Sequence, residues 1–423
     1  MKTKKTLLFP ASLFGVLLIA GLAGCGSGDG KAPSTGPRTI DSGGGPRTYY
    51  LKMPADYRSG KHYPLIIAFH GTGGSGDAFV GDAYYNLEGA VGDEAILVYP
   101  DALAPDGGTT TQWDFNEDVG FFDDLLAELD GLVHYDKDRV FLTGHSSGGG
   151  FVHQLACKRG DVVRAIAPVA GTLLTQGTEN GGCTGEVAVM QIQGTKDQIV
   201  PIAAAESARN FWRCYNGCAE ASAAAADDHC VQYQGCDADY PVEYCTHEEV
   251  ASGIVGGHTW PSFGGEAMWA FFKSLPAAKP SADLPAEKRS CTTAGAATAT
   301  FTLVYPEDFK GDPEILAIAL YPGGTTAPTG APTYMIKQRY DIDASKISPG
   351  AEVEYAIDGI DFTGVELPGD YLFSVVVYMK GGMYPIPSPR VDYVGVAPIH
   401  FENAGSFTID DPITLSIMPD FAL

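Results

Sequence analysis

Apolar positions in the first two-thirds of the chain fall into short unbroken runs separated by stretches of longer period. Residues 63–69 read YPLIIAF, and residues 95–99, 140–143, 165–169 and 187–192 are similarly apolar. Runs of this length without polar alternation belong to strands buried on both faces. Residues 47–52 read as a further strand. Between the runs lie segments with helical spacing. Over residues 119–133, Phe122, Leu125, Leu126, Leu129 and Val133 line one side. Residues 149–158 and 266–275 read as two more helices. Strands alternating with helices predict an α/β domain, a mostly parallel sheet with helices on both faces.

The pattern changes after Pro276. Residues 277–291 (AAKPSADLPAEKRSC) read as a linker. Beyond Cys291 strand signals dominate, at 297–304, 314–321, 352–357, 371–378, 406–409 and 413–417. Pro322-Gly323-Gly324 and Lys380-Gly381-Gly382 punctuate them. This predicts an all-β sandwich over residues 292–423, of a transthyretin-like or immunoglobulin-like kind. The polar segment with Asp341 and Asp343 reads as a solvated turn rather than a calcium loop. Two domains suit a chain of 423 residues, and no internal repeat stands out.

The N-terminus follows a different logic. Lys2, Lys4 and Lys5 precede an apolar run over 7–22, followed by Leu22-Ala23-Gly24-Cys25. Residues 1–24 read as an export signal, too short for a membrane span. The tetrapeptide resembles a bacterial lipobox, which implies a lipid on Cys25. The expected location is the cell envelope or its surface, or release from the cell, with the Cys25 lipid as the sole membrane contact. Residues 25–46, rich in glycine, serine and proline, read as a flexible tether. The formal charge of −25 disfavours nucleic acid and anionic lipid as partners. Removing the signal makes it more negative still.

Export changes how the nine cysteines read. Apart from Cys25 they are even in number, which suggests disulfides. Spacing suggests Cys230 with Cys236 and Cys218 with Cys245. A zinc site on Cys214, Cys218, His229 and Cys230 is the rival, disfavoured in an oxidising compartment and without a C-x2-C pair. No metal or organic cofactor is expected.

The candidate chemistry begins at Gly144-His145-Ser146-Ser147-Gly148, which fits G-x-S-x-G. A strand runs into it and a helix leaves it, the setting of a nucleophile elbow with Ser146 at its tip. A serine hydroxyl needs a base and an orienting acid to attack. In this fold they follow in the order serine, acid, histidine. Asp197 lies in the turn after strand 187–192, and His258 lies in Gly256-Gly257-His258-Thr259-Trp260-Pro261 before the last helix. Asp227 and Asp228 are alternative acids that lack a preceding buried strand. The amide of Ser147, opening the helix, and that of Thr72, in Phe69-His70-Gly71-Thr72-Gly73-Gly74, are candidate oxyanion donors. His70 and His145 flank the site and read as loop-shaping residues. Trp113 and Trp260 could line an acyl pocket or pack in the core.

Together AFHGTGG, GHSSGGG, GTKDQIVP and GGHTWP resemble secreted α/β-hydrolases of the polyhydroxybutyrate depolymerase and feruloyl esterase group, over residues 45–276. The group includes carbohydrate esterases acting on xylan. The resemblance implies an α/β-hydrolase fold over 47–276 and an acyl-serine esterase with Ser146, His258 and Asp197 as its triad. Asp136 and residues 119–124 also match family positions, as structural ones. Gln193 departs from the family, which often has histidine before the glycine here. The cysteine-rich insert 214–245 resembles the feruloyl esterase side. Feruloyl or acetyl esters of plant polysaccharide are the expected substrates. A hydroxyalkanoate depolymerase and a non-catalytic carbohydrate-binding lipoprotein are the alternatives.

Overall fold

The computed structural model describes residues 33–418 except 82–83, 105–107, 174–182, 238, 251–255, 277–296, 326–331, 333, 361, 363–364, 366 and 381–390. The signal, Cys25 and the linker 277–291 lie outside the described residues. The N-terminal part runs β1 (Gly36–Ser42), β2 (Gly45–Lys52), β3 (Tyr63–Phe69), α1 (Leu87–Val91), β4 (Ile96–Pro100), α2 (Asp118–Leu132), β5 (Tyr135–His145) and α3 (Ser147–Lys158). It continues with β6 (Ala165–Val169), β7 (Ala188–Gly194), α4 (Ile202–Tyr215), β8 (Ser222–Ala224), β9 (Cys230–Tyr233), β10 (Val242–His247) and α5 (Gly264–Ser274). Among the described residues these strands form one sheet in the order β1-β2-β4-β3-β5-β6-β7-β10-β9-β8. The six central strands, β4 to β10 in that order, are parallel. Antiparallel hairpins flank them, β1–β2 on one side and β8–β9 on the other.

The unbroken apolar run of β3 is explained by burial from both sides. Leu65, Ile67 and Phe69 face a core with α2, α3 and α4, while Ile66 and Ala68 face one with α1 and α5. This is the α/β-hydrolase architecture expected from the sequence. Two differences stand out. Residues 36–42, read as part of a flexible tether, form β1, because Gly43 and Gly44 take positive φ and fold the segment back onto β2. Helix α4, missed in the sequence, buries a stripe of Ala204, Ala208, Phe211, Trp212 and Tyr215 at helical spacing, with small residues in its first half and aromatic ones in its second. Among the described residues no helix is long and apolar enough to cross a membrane.

Disulfides staple the right-hand half of this sheet. Cys157 bonds Cys183, Cys218 bonds Cys236, and Cys230 bonds Cys245. Cys214 is disulfide-bonded too. The pairings Cys230–Cys236 and Cys218–Cys245 are therefore incorrect. The β9–β10 register decides the matter, since it sets Cys230 directly opposite Cys245. Ladder geometry, not spacing along the chain, brings the sulfurs together. The same bonds remove Cys218 and Cys230 as zinc ligands.

The C-terminal part is a sandwich. β11 (Ala297–Val304), β14 (Glu352–Ile360) and β17 (Phe407–Thr414) make one sheet. β12 (Pro313–Pro322), β13 (Tyr334–Asp341), β15 (Gly369–Met379), β16 (Tyr393–Phe401) and β18 (Ser416–Ile417) make the other. Leu316, Ile318, Val375 and Val377 face the sandwich core. Their neighbours Ile315, Ala317, Val376 and Tyr378 belong instead to the core shared with Ala208, Phe211 and Trp212 of α4. The outer face of this sheet is thus apolar and packs on the α/β part. Asp343 accepts from the Ser345 amide and hydroxyl at a short 3-10 turn, as a solvated turn does.

Buried histidines tie this fold to pH. His153 of α3 is fully buried and its Nδ1 accepts from Trp212 Nε1 at 2.9 Å. Burial pushes its pKa down to about 3. The unfolded chain therefore takes the proton first, so the stability this group supplies is complete above pH 6.5 and is lost as pH falls towards 3. The full loss is about 4–5 kcal/mol, as an order of magnitude. Glu243 has the opposite sign, because burial raises its carboxyl to about 7 and favours the folded state as pH falls from 7 towards 4.5. A His153→Gln variant, which keeps an acceptor for Trp212, is expected to lose less stability than wild type between pH 7 and pH 4. Urea midpoints measured across that range check this, and parallel pH curves would contradict it.

Candidate active site

The parallel strands deliver their C-terminal ends to one edge of the sheet, where ligands bind in open α/β folds. There β5 ends at His145 and α3 begins at Ser147, leaving Ser146 alone in the turn. Ser146 has φ 58° and ψ −122°. Apart from glycines, only Ala170 shares a positive φ among the described residues. Such a backbone costs roughly 1–3 kcal/mol and persists where the surroundings hold it. Here the Ser146 amide donates to Val169 O at 3.0 Å, and its carbonyl accepts from the Gly150 amide at 3.0 Å. Gly148 permits the turn, since a Cβ there would lie 2.1 Å from Phe69 O. Ser146 is half-buried while its neighbours from Phe141 to Gly150 are buried. The strained turn therefore lifts one hydroxyl towards solvent.

Asp197 and His258 meet. His258 Nδ1 lies 2.8 Å from Asp197 Oδ2, and both residues are buried. Asp197 Oδ1 accepts from the amides of Ile199 and Val200 at 2.8 and 2.9 Å. Gln193 Nε2 donates to Oδ2 at 3.1 Å. A carboxylate so held is an acceptor only, so Nδ1 carries a proton and Nε2 is left with its lone pair. The His258 ring centre is 5.1 Å from that of His145, the residue before Ser146. Asp227 and Asp228 pair instead with His229, at 2.8 and 3.2 Å, on a partly exposed loop. His229 stacks on Phe263, just before α5.

The loop after β3 packs against the serine: a Cβ on Gly71 would lie 3.1 Å from Ser146 Cβ. Gly73 and Gly74 donate their amides to Thr111 O and Gly71 O. The amides of Thr72 and Ser147 have no hydrogen-bond partner among the described residues. His70 shapes this loop. Its Nδ1 donates to Gly71 O at 2.7 Å and its Nε2 accepts from the Ala102 amide at 3.0 Å. That pattern requires a neutral ring, and burial lowers the His70 pKa accordingly.

Trp113 and Trp260 are both buried, at 2% and 4% exposed. Trp113 stacks on Phe151 and donates to His70 O at 2.8 Å. Trp260 packs edge-on against Phe79 and Tyr85 and donates to Asn86 Oδ1 at 2.9 Å. Both indoles brace the loops of the site from within the core. The sequence reading missed Tyr84 and Tyr85. The Tyr85 hydroxyl is 3.3 Å from His145 Nδ1. Half-buried Tyr84 stands edge-on to the His145 ring, and its hydroxyl accepts from the Trp260 amide at 3.1 Å. No periodicity marks them, because they belong to a loop. Burial, then the charges of His258 and His247, hold the His145 pKa well below its usual value. A neutral His145 avoids repelling a positive charge on His258.

Comparison with known proteins bears on this geometry. A probable feruloyl esterase C of Aspergillus terreus is 30% identical over 270 residues, spanning 58% of this chain and 90% of that protein. The chain belongs to the feruloyl esterase family. Feruloyl esterase D of Neurospora crassa is 30% identical over 263 residues, spanning 57% of this chain and 86% of that protein. No family model matches the chain. Among solved structures, an acetyl xylan esterase from Aspergillus awamori aligns with a TM-score of 0.40 at 16% identity, covering 56% of this chain and 99% of that one. The chain is a carboxylic ester hydrolase, and its disulfides fit an extracellular protein.

Proposed function

We propose that Ser146 is the nucleophile, His258 the base and then the acid, and Asp197 the group that orients it. The reading is supported above all by the Asp197–His258 hydrogen bond, with the His258 ring 5.1 Å from that of His145, the residue before Ser146 in its strained elbow. His258 Nε2 takes the Ser146 Oγ proton as Oγ bonds to the ester carbonyl carbon. The carbonyl oxygen becomes an oxyanion and receives the amides of Thr72 and Ser147. The intermediate collapses, the carbon–oxygen bond to the alcohol breaks, and His258 returns the proton to that alcohol. Water then attacks the acyl-serine by the same route and releases the acid.

The proposed substrates are feruloyl or acetyl esters of plant cell-wall polysaccharide. The feruloyl esterase relatives support the aromatic acid, and Tyr84 beside His145 offers a ring at the mouth of the site. Export with a lipid on Cys25 belongs to the same proposal, placing the enzyme where its polymer is. So does the division into a catalytic domain over 47–276, a linker over 277–291 and a sandwich over 292–423. The apolar packing of the sandwich on α4 suits a fixed spacer. Rates on methyl ferulate and on hydroxybutyrate oligomers test the substrate class. Methyl ferulate is expected to be cleaved with at least about tenfold higher kcat/KM, an advantage of about 1.4 kcal/mol. A preference for the oligomers would instead identify a depolymerase.

A further inference from the structure

Asp197 accepts four hydrogen bonds, and the mechanism explains only one donor, His258. Two more are turn amides, of Ile199 and Val200. The fourth is Gln193 Nε2, 3.1 Å from Oδ2, which also donates to Val200 O at 2.8 Å. Gln193 is fully buried on β7, and its Oε1 has no partner among the described residues. A buried orphan acceptor costs about 1–3 kcal/mol. Flipping the amide gives no relief, because Oε1 would then face a carboxylate oxygen and a carbonyl. A leucine of similar shape would remove this orphan, but would also take a donor from Asp197 Oδ2 and from Val200 O. The chain therefore keeps a side chain with an unmet acceptor at the point where it donates to the acid.

We propose that Gln193 is a positioning residue for the esterase reaction, fixing the Asp197 carboxylate on His258. The inference rests on the proposed triad. Oδ1 is held by amides of its own turn, but Oδ2 meets side chains only. A second donor stops the carboxylate rotating and keeps the His258 ring in line with Ser146. By joining Oδ2 to Val200 O, Gln193 also ties the acid to the turn that leads into α4. Other polar groups stand around the pair without replacing it. His145 is 5.1 Å from His258, ring centre to ring centre. His247 lies across the ladder from Gly194 and interacts with Asp197 through charge only. Lys196 pairs with Glu248.

The test compares Gln193→Leu, Gln193→Glu and Gln193→His with wild type and Ser146→Ala on p-nitrophenyl acetate, with a burst titration to count working sites. Gln193→Leu is expected to lower kcat per site by about 10- to 100-fold through misplacement of the base. KM should hold within about twofold, as acyl-pocket contacts are untouched, and the burst should stay near wild type even where Tm falls through the lost bonds to Oδ2 and Val200 O. Gln193→Glu sets a second carboxylate beside Asp197, so the acidic limb of kcat/KM should move to higher pH. Gln193→His restores a donor and should recover most of the rate. Wild-type kcat and pH profile in the leucine and glutamate variants would overturn the proposal. So would losses that merely follow a lower Tm and burst. If those variants behave as wild type while Ser146→Ala is inactive, this inference alone fails; an active Ser146→Ala would remove the triad with it.

Discussion

Replacing Ser146 by alanine is expected to lower kcat on methyl ferulate by about 10,000-fold or more, with KM and Tm little changed. The size follows from chemistry, since no acyl-enzyme can form without the Oγ that attacks. The residual rate would come from binding and from the amides of Thr72 and Ser147 stabilising an oxyanion formed by water attack. Alanine inherits the same φ of 58°, so backbone strain is neither relieved nor added. A loss of activity with unchanged stability therefore reports on the hydroxyl itself. Steady-state rates and a thermal melt on the same preparation separate the two. Activity within tenfold of wild type would end the assignment of Ser146.

Asp197→Asn is expected to lower kcat by roughly 10,000-fold at neutral pH, the magnitude found when such an acid loses its charge. The asparagine can keep its oxygen on the amides of Ile199 and Val200. Its NH2 group then points at His258 Nδ1. Two donors cannot face each other, so the imidazole must move its proton to Nε2 and accept at Nδ1. A protonated Nε2 cannot receive the Ser146 proton, although every heavy atom stands near its original place. The activity of this variant should rise at high pH, where hydroxide assists the attack. Rates across pH 6 to 10 check this, and a loss of less than about tenfold would point to a different acid.

The catalytic part was legible because its signals are local and reinforce one another. Strand 63–69 needed only its unbroken apolar run, and its observed bounds, Tyr63–Phe69, match the reading. The elbow needed only Gly144 and Gly148 around Ser146, between a strand and a helix. Asp197 could be picked over Asp227 and Asp228 because a buried strand, β7, leads to it. Other features left no such trace. Helix α4 had a readable face in Ala208, Phe211, Trp212 and Tyr215, but only its second half carries large apolar residues, inside a segment read for its cysteines. Cys230 meets Cys245 because β9 and β10 lie side by side, which spacing along the chain cannot reveal. Trp113 and Trp260 gave no hint of whether they faced solvent or core, because an indole suits either.

The strands from β2 to β7 in the first part, the elbow at Ser146, and the candidacy of Asp197 and His258, which the structure joins, could be read from the amino-acid sequence alone. Each depends on residues within a few positions of one another, where periodicity and glycine sterics act directly. Tertiary structure alone decided the partners of the cysteines, the second donor to Asp197, and the seating of the sandwich on α4. The strand predicted over 371–378 is buried on both faces as β15, and nothing near it in the chain says what lies beyond the second one. Those outcomes depend on contacts between segments far apart in the chain, and only the folded sheet brings them within reach.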